Sequence, residues 1–155
     1  MKIAIVGAGF YGTYIAYKLS KQKKYKFSIF EKNKNICREA ASNNQYRLHT
    51  GFHYPRSDST INQLLNSYPR FIEEYYDAIE KKYTHLYALA KYNSLTKKEE
   101  YLEFLNRHCL KHEILNFHPN LINEKFSLIF SADEHLIDYK KLKRETDEIV
   151  GRVNG

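Results

Sequence analysis

The sequence predicts an α/β fold, a parallel sheet with helices packed on it, and three observations carry that expectation. A short apolar run rich in β-branched residues, Lys2 to Val6, ends at Gly7. Apolar or aromatic positions then recur at helical spacing, at Tyr11, Tyr14, Ile15 and Leu19. A second short apolar run, Phe27 to Phe30, closes on Glu31. Strand, glycine turn, helix and strand make a βαβ unit, whose parallel strands require the crossover helix between them.

Taken in order, Lys2 to Val6 reads as a fully buried parallel strand. Phe10 onward is a helix running to the lysines around Gln22, with its apolar positions as the buried stripe. Phe27 to Phe30 is the second strand. Asn33 to Gln45 is polar and small, a long surface connection with a single helical turn allowed over Ile36 to Ala41, and long loops in compact domains are usually functional. Arg47 to Tyr54 is read as extended up to Pro55. Ser57 or Ser59 caps a long helix through Tyr83, kinked or split at Pro69. Its aromatics Tyr68, Tyr75, Tyr76 and Tyr83 are core or rim, and Glu73, Glu74 and Asp77 pair with nearby lysines. His85 to Tyr92 is a strand, and Thr96 with Glu99 forms a capping box for a helix to about Leu110. Phe126 to Phe130 is a further strand. Asp138 caps a last helix from Tyr139 to Val150, with Gly151 in the helix-stop position. No internal repeat or low-complexity tract is visible.

The chemistry begins at Gly7-Ala8-Gly9-Phe10-Tyr11-Gly12, a G-x-G-x-x-G between strand and helix. Gly7 makes the tight turn, Gly9 lets backbone approach a pyrophosphate, and Gly12 allows helix to pack closely on strand. The phosphates then rest on the helix N-terminus, at the amides of Phe10 and Tyr11. Glu31, nineteen residues after Gly12, stands where an acidic residue takes the ribose hydroxyls, and its charge disfavours the 2′-phosphate of NADP. The expected architecture is therefore a Rossmann-like FAD/NAD(P)-binding domain, with Lys32 beside the ribose acid as a further contact.

Arg38 to Arg56 reads REAASNNQYRLHTGFHYPR, and here the chain resembles the D-amino-acid-oxidase-like family of flavoenzymes, of glycine oxidase and L-2-hydroxyglutarate dehydrogenase type. In that family a small polar segment after the ribose acid leads to a His-x-Gly stretch. Ala41, Ser42, Asn43 and Asn44 occupy the first, and Leu48-His49-Thr50-Gly51-Phe52-His53-Tyr54 resembles the Ile-His-Ala-Gly-Ile-Tyr-Tyr pattern of the hydroxyglutarate dehydrogenases. Ile137-Asp138-Tyr139 and Leu142 resemble the family's Val-Asp-Pro segment and following helix, with Tyr139 in place of proline. The resemblance is thin from Ser57 to Phe130. It implies FAD as cofactor and oxidation of an amine or 2-hydroxy acid, with Ser42 and Asn43 touching the pyrophosphate or ribityl chain and His49 close to the isoalloxazine. If Arg47 to His53 is extended, His49, Gly51 and His53 share one face and Arg47 joins it. A histidine suits the proton that leaves the substrate as hydride departs, so His49 is the catalytic candidate; a loop histidine orienting backbone is the other reading.

The domain plan that follows is residues 1–83 as FAD-binding βαβ and following helix, 84–134 as the start of an inserted α+β substrate lobe, and 135–155 as a return to the first domain. The chain is expected to stop before such an enzyme is complete, with a further sheet strand absent, and so to be inactive alone. Composition agrees with a globular chain: 43% hydrophobic and 28% charged residues. No run approaches the ~20 apolar residues of a membrane span and no secretory signal precedes Gly7, which points to the cytoplasm. The net charge of +7 favours anionic ligands without naming one, and no clustered basic stripe or RNA-binding motif argues for nucleic acid. Cys37 and Cys109 have no CxxC spacing and are expected to be reduced thiols. His108 and His112, four apart on the expected helix, lack the HExxH pattern and a third ligand, so no metal is expected. A small-molecule substrate is the expected partner and a homo-oligomer is allowed. Two other readings stay open: an NAD-binding dehydrogenase domain, for which no Tyr-x-x-x-Lys pair is suitably placed, and a truncated, non-catalytic nucleotide-binding or oligomerising module.

Overall fold

A computed structural model describes residues 1–153. In chain order the elements are β1 (Lys2–Val6), α1 (Phe10–Ser20), β2 (Lys26–Phe30), a 3-10 turn (Ala40–Ser42), β3 (Arg47–Leu48), α2 (Asp58–Glu74), a 3-10 turn (Tyr76–Ala78) and β4 (Ile79–Glu80). Then follow β5 (His85–Ala90), α3 (Lys98–Arg107), β6 (His112–Ile114), a 3-10 turn (Asn123–Lys125), β7 (Phe126–Ala132), β8 (His135–Ile137) and α4 (Tyr139–Val153). Two compact units result. Residues 1–46 and 138–155 form the first, and the intervening residues 47–137 form the second. The stretch from Arg47 to Tyr83 thus groups with the residues after it.

In the first unit β1 and β2 pair in parallel, Lys2 opposite Lys26 and Val6 opposite Phe30, with α1 as the crossover and α4 packed against α1. The strand and helix positions agree with the sequence reading, but β1 is not fully buried. Burial alternates, so Ile5 is covered while Val6 is 87% exposed and Phe30 stands open on the same face. The sheet has two strands among the described residues, and a side-chain period of two leaves its second face uncovered. The buried stripe of α1 is also not the expected one. Thr13 and Ala16 are inside, whereas Tyr11 is 82% exposed and Ile15 half exposed. Close approach of helix to sheet selects the small side chains and turns the large ones outward. The helical turn expected over Ile36 to Ala41 forms later, at Ala40–Ser42, because Cys37 is tied down: its N–H donates to the Ala8 carbonyl (3.0 Å) and its carbonyl accepts from the Tyr139 hydroxyl (2.7 Å). Asp138 caps α4 as expected, its Oδ1 accepting from the N–H groups of Lys140 and Lys141. The helix runs through Gly151 to Val153, since a lone glycine weakens a helix without ending it. What the sequence reading said of the last two residues lies outside the described ones.

The second unit holds two antiparallel sheets, β5-β7-β6 and β3-β8-β4. Phe52, Ile61, Tyr87, Tyr101, Phe104, Leu105, Leu128 and Phe130 form its core. Burying such aromatic side chains contributes about 2 kcal/mol each, which secures the short strands around them. Strands β4, β6 and β8 were not legible, being two or three residues long. The extended run expected through Tyr54 shrinks to β3, because Gly51 adopts φ +125° and the chain turns over Ile61. Ser57 caps α2, accepting from the Thr60 N–H, and Pro69 sits inside the uninterrupted helix. That helix stops at Glu74 and not at Tyr83. Tyr75, Ala78 and Ile79 are buried and Ile79 pairs with Ile137, so tertiary pairing overrides helical propensity. Arg70 pairs with Glu74 at 3.3 Å.

Only the acidic half of a capping box forms at α3, one residue later than expected: Lys97 N–H donates to Glu100 (3.0 Å), while Thr96 is buried and its N–H goes to Ser94. The helix ends at Arg107 and not near Leu110, in a Schellman motif. The Leu110 N–H donates to the Leu105 carbonyl (3.0 Å), the Cys109 N–H to that of Asn106 (3.1 Å), and Cys109 takes the left-handed φ of +50° usual for glycine. His108 is therefore a helix C-cap bonded to Asp58 (2.6 Å), and His112 stands on β6. The two histidines do not share a helix face.

Candidate functional site

The glycine loop is built as its spacing demands. Gly7 has φ +97°, and its N–H donates to the Phe30 carbonyl at 2.7 Å, so the turn starts tied to the end of β2. A Cβ on Gly12 would lie 2.0 Å from the Gly7 carbonyl oxygen, so only glycine lets α1 pack this closely on the turn. Gly9 differs. Its backbone is extended (φ −71°, ψ 178°), open to any residue, and a Cβ there would meet nothing within 4 Å. That open space at the start of α1 is room for a ligand's phosphate. The Thr13 hydroxyl ties down the Gly9 and Phe10 carbonyls at 3.0 and 2.9 Å. The first turn of α1 carries no acidic residue and no side-chain cap, so the positive end of the helix opens onto that space.

Glu31 stands at the same loop. Its Oε1 accepts from the backbone and side chain of Asn33 (2.8 and 3.1 Å) and its Oε2 from the Ala8 N–H (2.7 Å). The backbone bonds from Asn33 and Ala8 hold its carboxyl below the usual range. An ionised carboxylate is an acceptor only, the form that ribose hydroxyls require of a partner, and these residues fit a dinucleotide. Lys32 pairs with Glu39 at 3.0 Å. The Ser42 hydroxyl donates to the carbonyls of Arg38 (2.6 Å) and Glu39 (3.0 Å), and Asn43 to Glu39 (3.2 Å). Lys32, Ser42 and Asn43 are thus in the first unit with the glycine loop, but the contacts of their side chains are local. Phe10 sets its ring against Tyr11 and Tyr14.

Arg47, His49 and Gly51 belong to the second unit, where they gather around a residue the sequence reading missed. Glu134 is 1% exposed. Its Oε2 accepts from the Tyr87 hydroxyl (2.7 Å) and lies 3.3 Å from Arg47 Nη2; its Oε1 accepts from the Thr50 N–H (2.9 Å) and lies 3.6 Å from His49 Nδ1. The Arg47 guanidinium also covers the Tyr87 ring at 4.7 Å. Burial pushes the Glu134 carboxyl up, but the contacts from His49, Tyr87 and Thr50 outweigh it and hold the group at about 2. Burial and the Glu134 hydrogen bond drive the Tyr87 phenol upward, so it stays a donor. His49 and His53 share a surface after all, through the turn at Gly51 and not through a strand: their rings stack at 4.7 Å, with His53 edge-on to Tyr87 at 5.5 Å. Burial, His49 and Arg47 lower the His53 pKa, and burial and Arg47 lower that of His85. The one signal for Glu134 was an acid inside the otherwise apolar stretch from Phe126 to Ile137.

Residues 5–78 match the family model of the NAD(P)-binding Rossmann-like domain. Among curated proteins, the FAD-dependent monooxygenase FPY4 of Fusarium mangiferae is 34% identical over 99 residues, 64% of this chain and 27% of that protein. The FAD-dependent monooxygenase kojA of Aspergillus flavus is 32% identical over 61% of this chain and 22% of its own length. The matched stretch therefore spans about a quarter of these relatives. The fold is that of glycine oxidase from Geobacillus kaustophilus, with a TM-score of 0.70 at 17% identity over 97% of this chain and 44% of that one. It is shared equally with L-proline dehydrogenase from P. horikoshii (TM-score 0.68, 14% identity, 98% and 42% coverage). L-amino acid deaminase from Proteus vulgaris, lacking its specific insertion, has a TM-score of 0.69 at 16% identity over 97% of this chain and 42% of its own. No helix among the described residues is long and apolar enough to cross a membrane.

Proposed function

We propose that this chain, whose residues 5–78 match the family model of the NAD(P)-binding Rossmann-like domain, holds FAD and serves a flavin-dependent oxidoreductase acting on an amine, an amino acid or a 2-hydroxy acid. The observation that carries the reading is the pairing of open space at Gly9 with an ionised Glu31 on the same loop. Gly7, Gly9 and Gly12 shape the cradle, the amides of Phe10 and Tyr11 meet the pyrophosphate, and Glu31 takes ribose hydroxyls. FAD over NAD is supported by relatives named FAD-dependent, and an amino acid as substrate by the names glycine oxidase and L-amino acid deaminase among proteins of this fold. When bound, FAD supplies the hydride acceptor. On the protein's side, His49 takes the proton that leaves the substrate hydroxyl or amine, Arg47 and Gly51 shape its surroundings, and residues 84–134 belong to the substrate lobe. Ser42 and Asn43 are proposed cofactor contacts through their loop. Monooxygenation is a second reading, favoured by the names of the sequence relatives.

Titration of the purified chain with FAD and with NAD, followed by flavin absorbance and fluorescence, tests this. FAD binding is expected, and Gly9→Glu should weaken it by about 100-fold, because like charges brought together cost several kcal/mol. The melting temperature should not fall, since the side chain enters open space. A colourless protein that takes NAD moves the assignment to a dehydrogenase domain, and one that binds neither leaves a non-catalytic module.

A further inference from the structure

We propose that Glu134 is a positioning residue that fixes the tautomer of His49, keeping the proton on Nδ1 and leaving Nε2 as the basic nitrogen available to substrate. The proposal rests on the reading of His49 as the residue that handles the substrate proton. Three observations support it. The register places the carboxylate there: Leu48 of β3 pairs with His135 of β8, so Glu134, just before β8, comes up beside the His49-Thr50 segment. His49 Nδ1 is buried with no hydrogen-bond partner among the described residues, and the Glu134 carboxylate stands 3.6 Å from it. The side chain nevertheless keeps 27% of its exposure, so what solvent or substrate can reach is the rest of the ring.

The other charged or titratable groups around this ring are Arg47, the stacked His53, Tyr54 edge-on at 6.4 Å and His85. None of them supplies a negative charge, so the anion that biases the imidazole is Glu134. The carboxylate is itself held by Tyr87, Thr50 and Arg47 and cannot swing away. A buried ion pair of this kind is often no more stabilising than an apolar cluster of the same volume, which points to a role in orientation. Carboxylates that set the tautomer of a working histidine are a recurrent device.

Nitrogen NMR of the full chain carrying 15N-labelled histidine reads the tautomer directly, at a pH where the ring is neutral. His49 should show a protonated Nδ1 and a lone pair on Nε2. Glu134→Gln should move the population toward Nε2–H by about tenfold or more, and Tyr87→Phe, which keeps the carboxylate's charge and its Thr50 and Arg47 partners, should keep the wild-type pattern. An Nε2–H tautomer in the wild-type protein overturns the proposal. So does an unchanged tautomer in a folded Glu134→Gln protein, or a tautomer lost in Tyr87→Phe. If Glu134→Gln does not fold, the wild-type and Tyr87→Phe spectra decide. Failure of FAD to bind the wild-type chain would instead overturn the functional reading and leave the tautomer result standing.

Discussion

The glycine loop of the first unit and the Glu134 cluster of the second solve the same problem, holding charge in place, with opposite materials. The loop is nearly all backbone. Its working parts are amides, carbonyls and absent side chains within residues 7–13, tied by backbone to Phe30 and Cys37, with Glu31 the distant side chain that joins them. The cluster is nearly all side chain, drawn from residues 47, 49, 87 and 134. A site made of backbone must write its geometry into local sequence, because only particular residues permit the conformation. A site made of side chains leaves each member free to look ordinary.

The largest effect expected is in the loop. Gly12→Ala forces a Cβ to within 2.0 Å of the Gly7 carbonyl oxygen, and backbone on both sides cannot yield cheaply. Loss of about 4 kcal/mol or more is expected, read as collapse of the urea unfolding midpoint. A mild effect would mean that helix and turn are less tightly joined than described, and would erase the contrast with Gly9.

Glu134→Gln comes next. It leaves the Arg47 guanidinium, 13% exposed, without its counter-charge, at a cost of about 3 kcal/mol near neutral pH. The pH dependence identifies the cause. A carboxyl lowered from 4.5 to about 2 in the folded state stabilises above its unfolded value, and that stability is lost as pH falls toward 2. Wild type and variant should therefore converge between about pH 4.5 and 2. His53 and His85, also lowered, remove stability from both proteins as pH falls below the ordinary histidine value of 6.5, and more so in the variant, where the Glu134 charge that raises both is gone, so the Glu134 carboxyl itself is read in the window below pH 4.5. A gap that persists at pH 2 would show that packing, not charge, holds the cluster together.

The smallest effect sharpens the comparison from within the second unit. Ser57→Ala removes a local, sequence-legible cap on α2 and should lower stability by about 1 kcal/mol in thermal unfolding. The legible feature of that unit then matters less than the one that could not be read.

The same division explains what the sequence disclosed. The βαβ order, the roles of Gly7, Gly9 and Gly12, Glu31 and the Asp138 cap all rest on spacings within a few turns or one crossover. What escaped was decided by partners far along the chain or by geometry without a signature residue. The period of Ile79 fits a helix, yet it pairs with Ile137 across 58 positions. Cys109 ends α3 in a conformation that normally announces itself by glycine. The proximity of His49 and His53 was expected from a strand and arises from a turn, so the pairing was legible while its cause was not.

The uncovered face of the β1–β2 sheet has a consequence for how the chain behaves among its own copies. Val6 and Phe30, opposite each other across the pair, form an exposed apolar spot beside the small side chains of Ala4 and Ser28, and exposed apolar surface attracts its like. An excess of seven positive charges supplies the long-range repulsion that keeps copies apart at low ionic strength. Salt shortens the reach of the repulsion to about 8 Å at physiological strength and leaves the attraction untouched, so crowding in brine favours clumping that dilution in fresh buffer reverses.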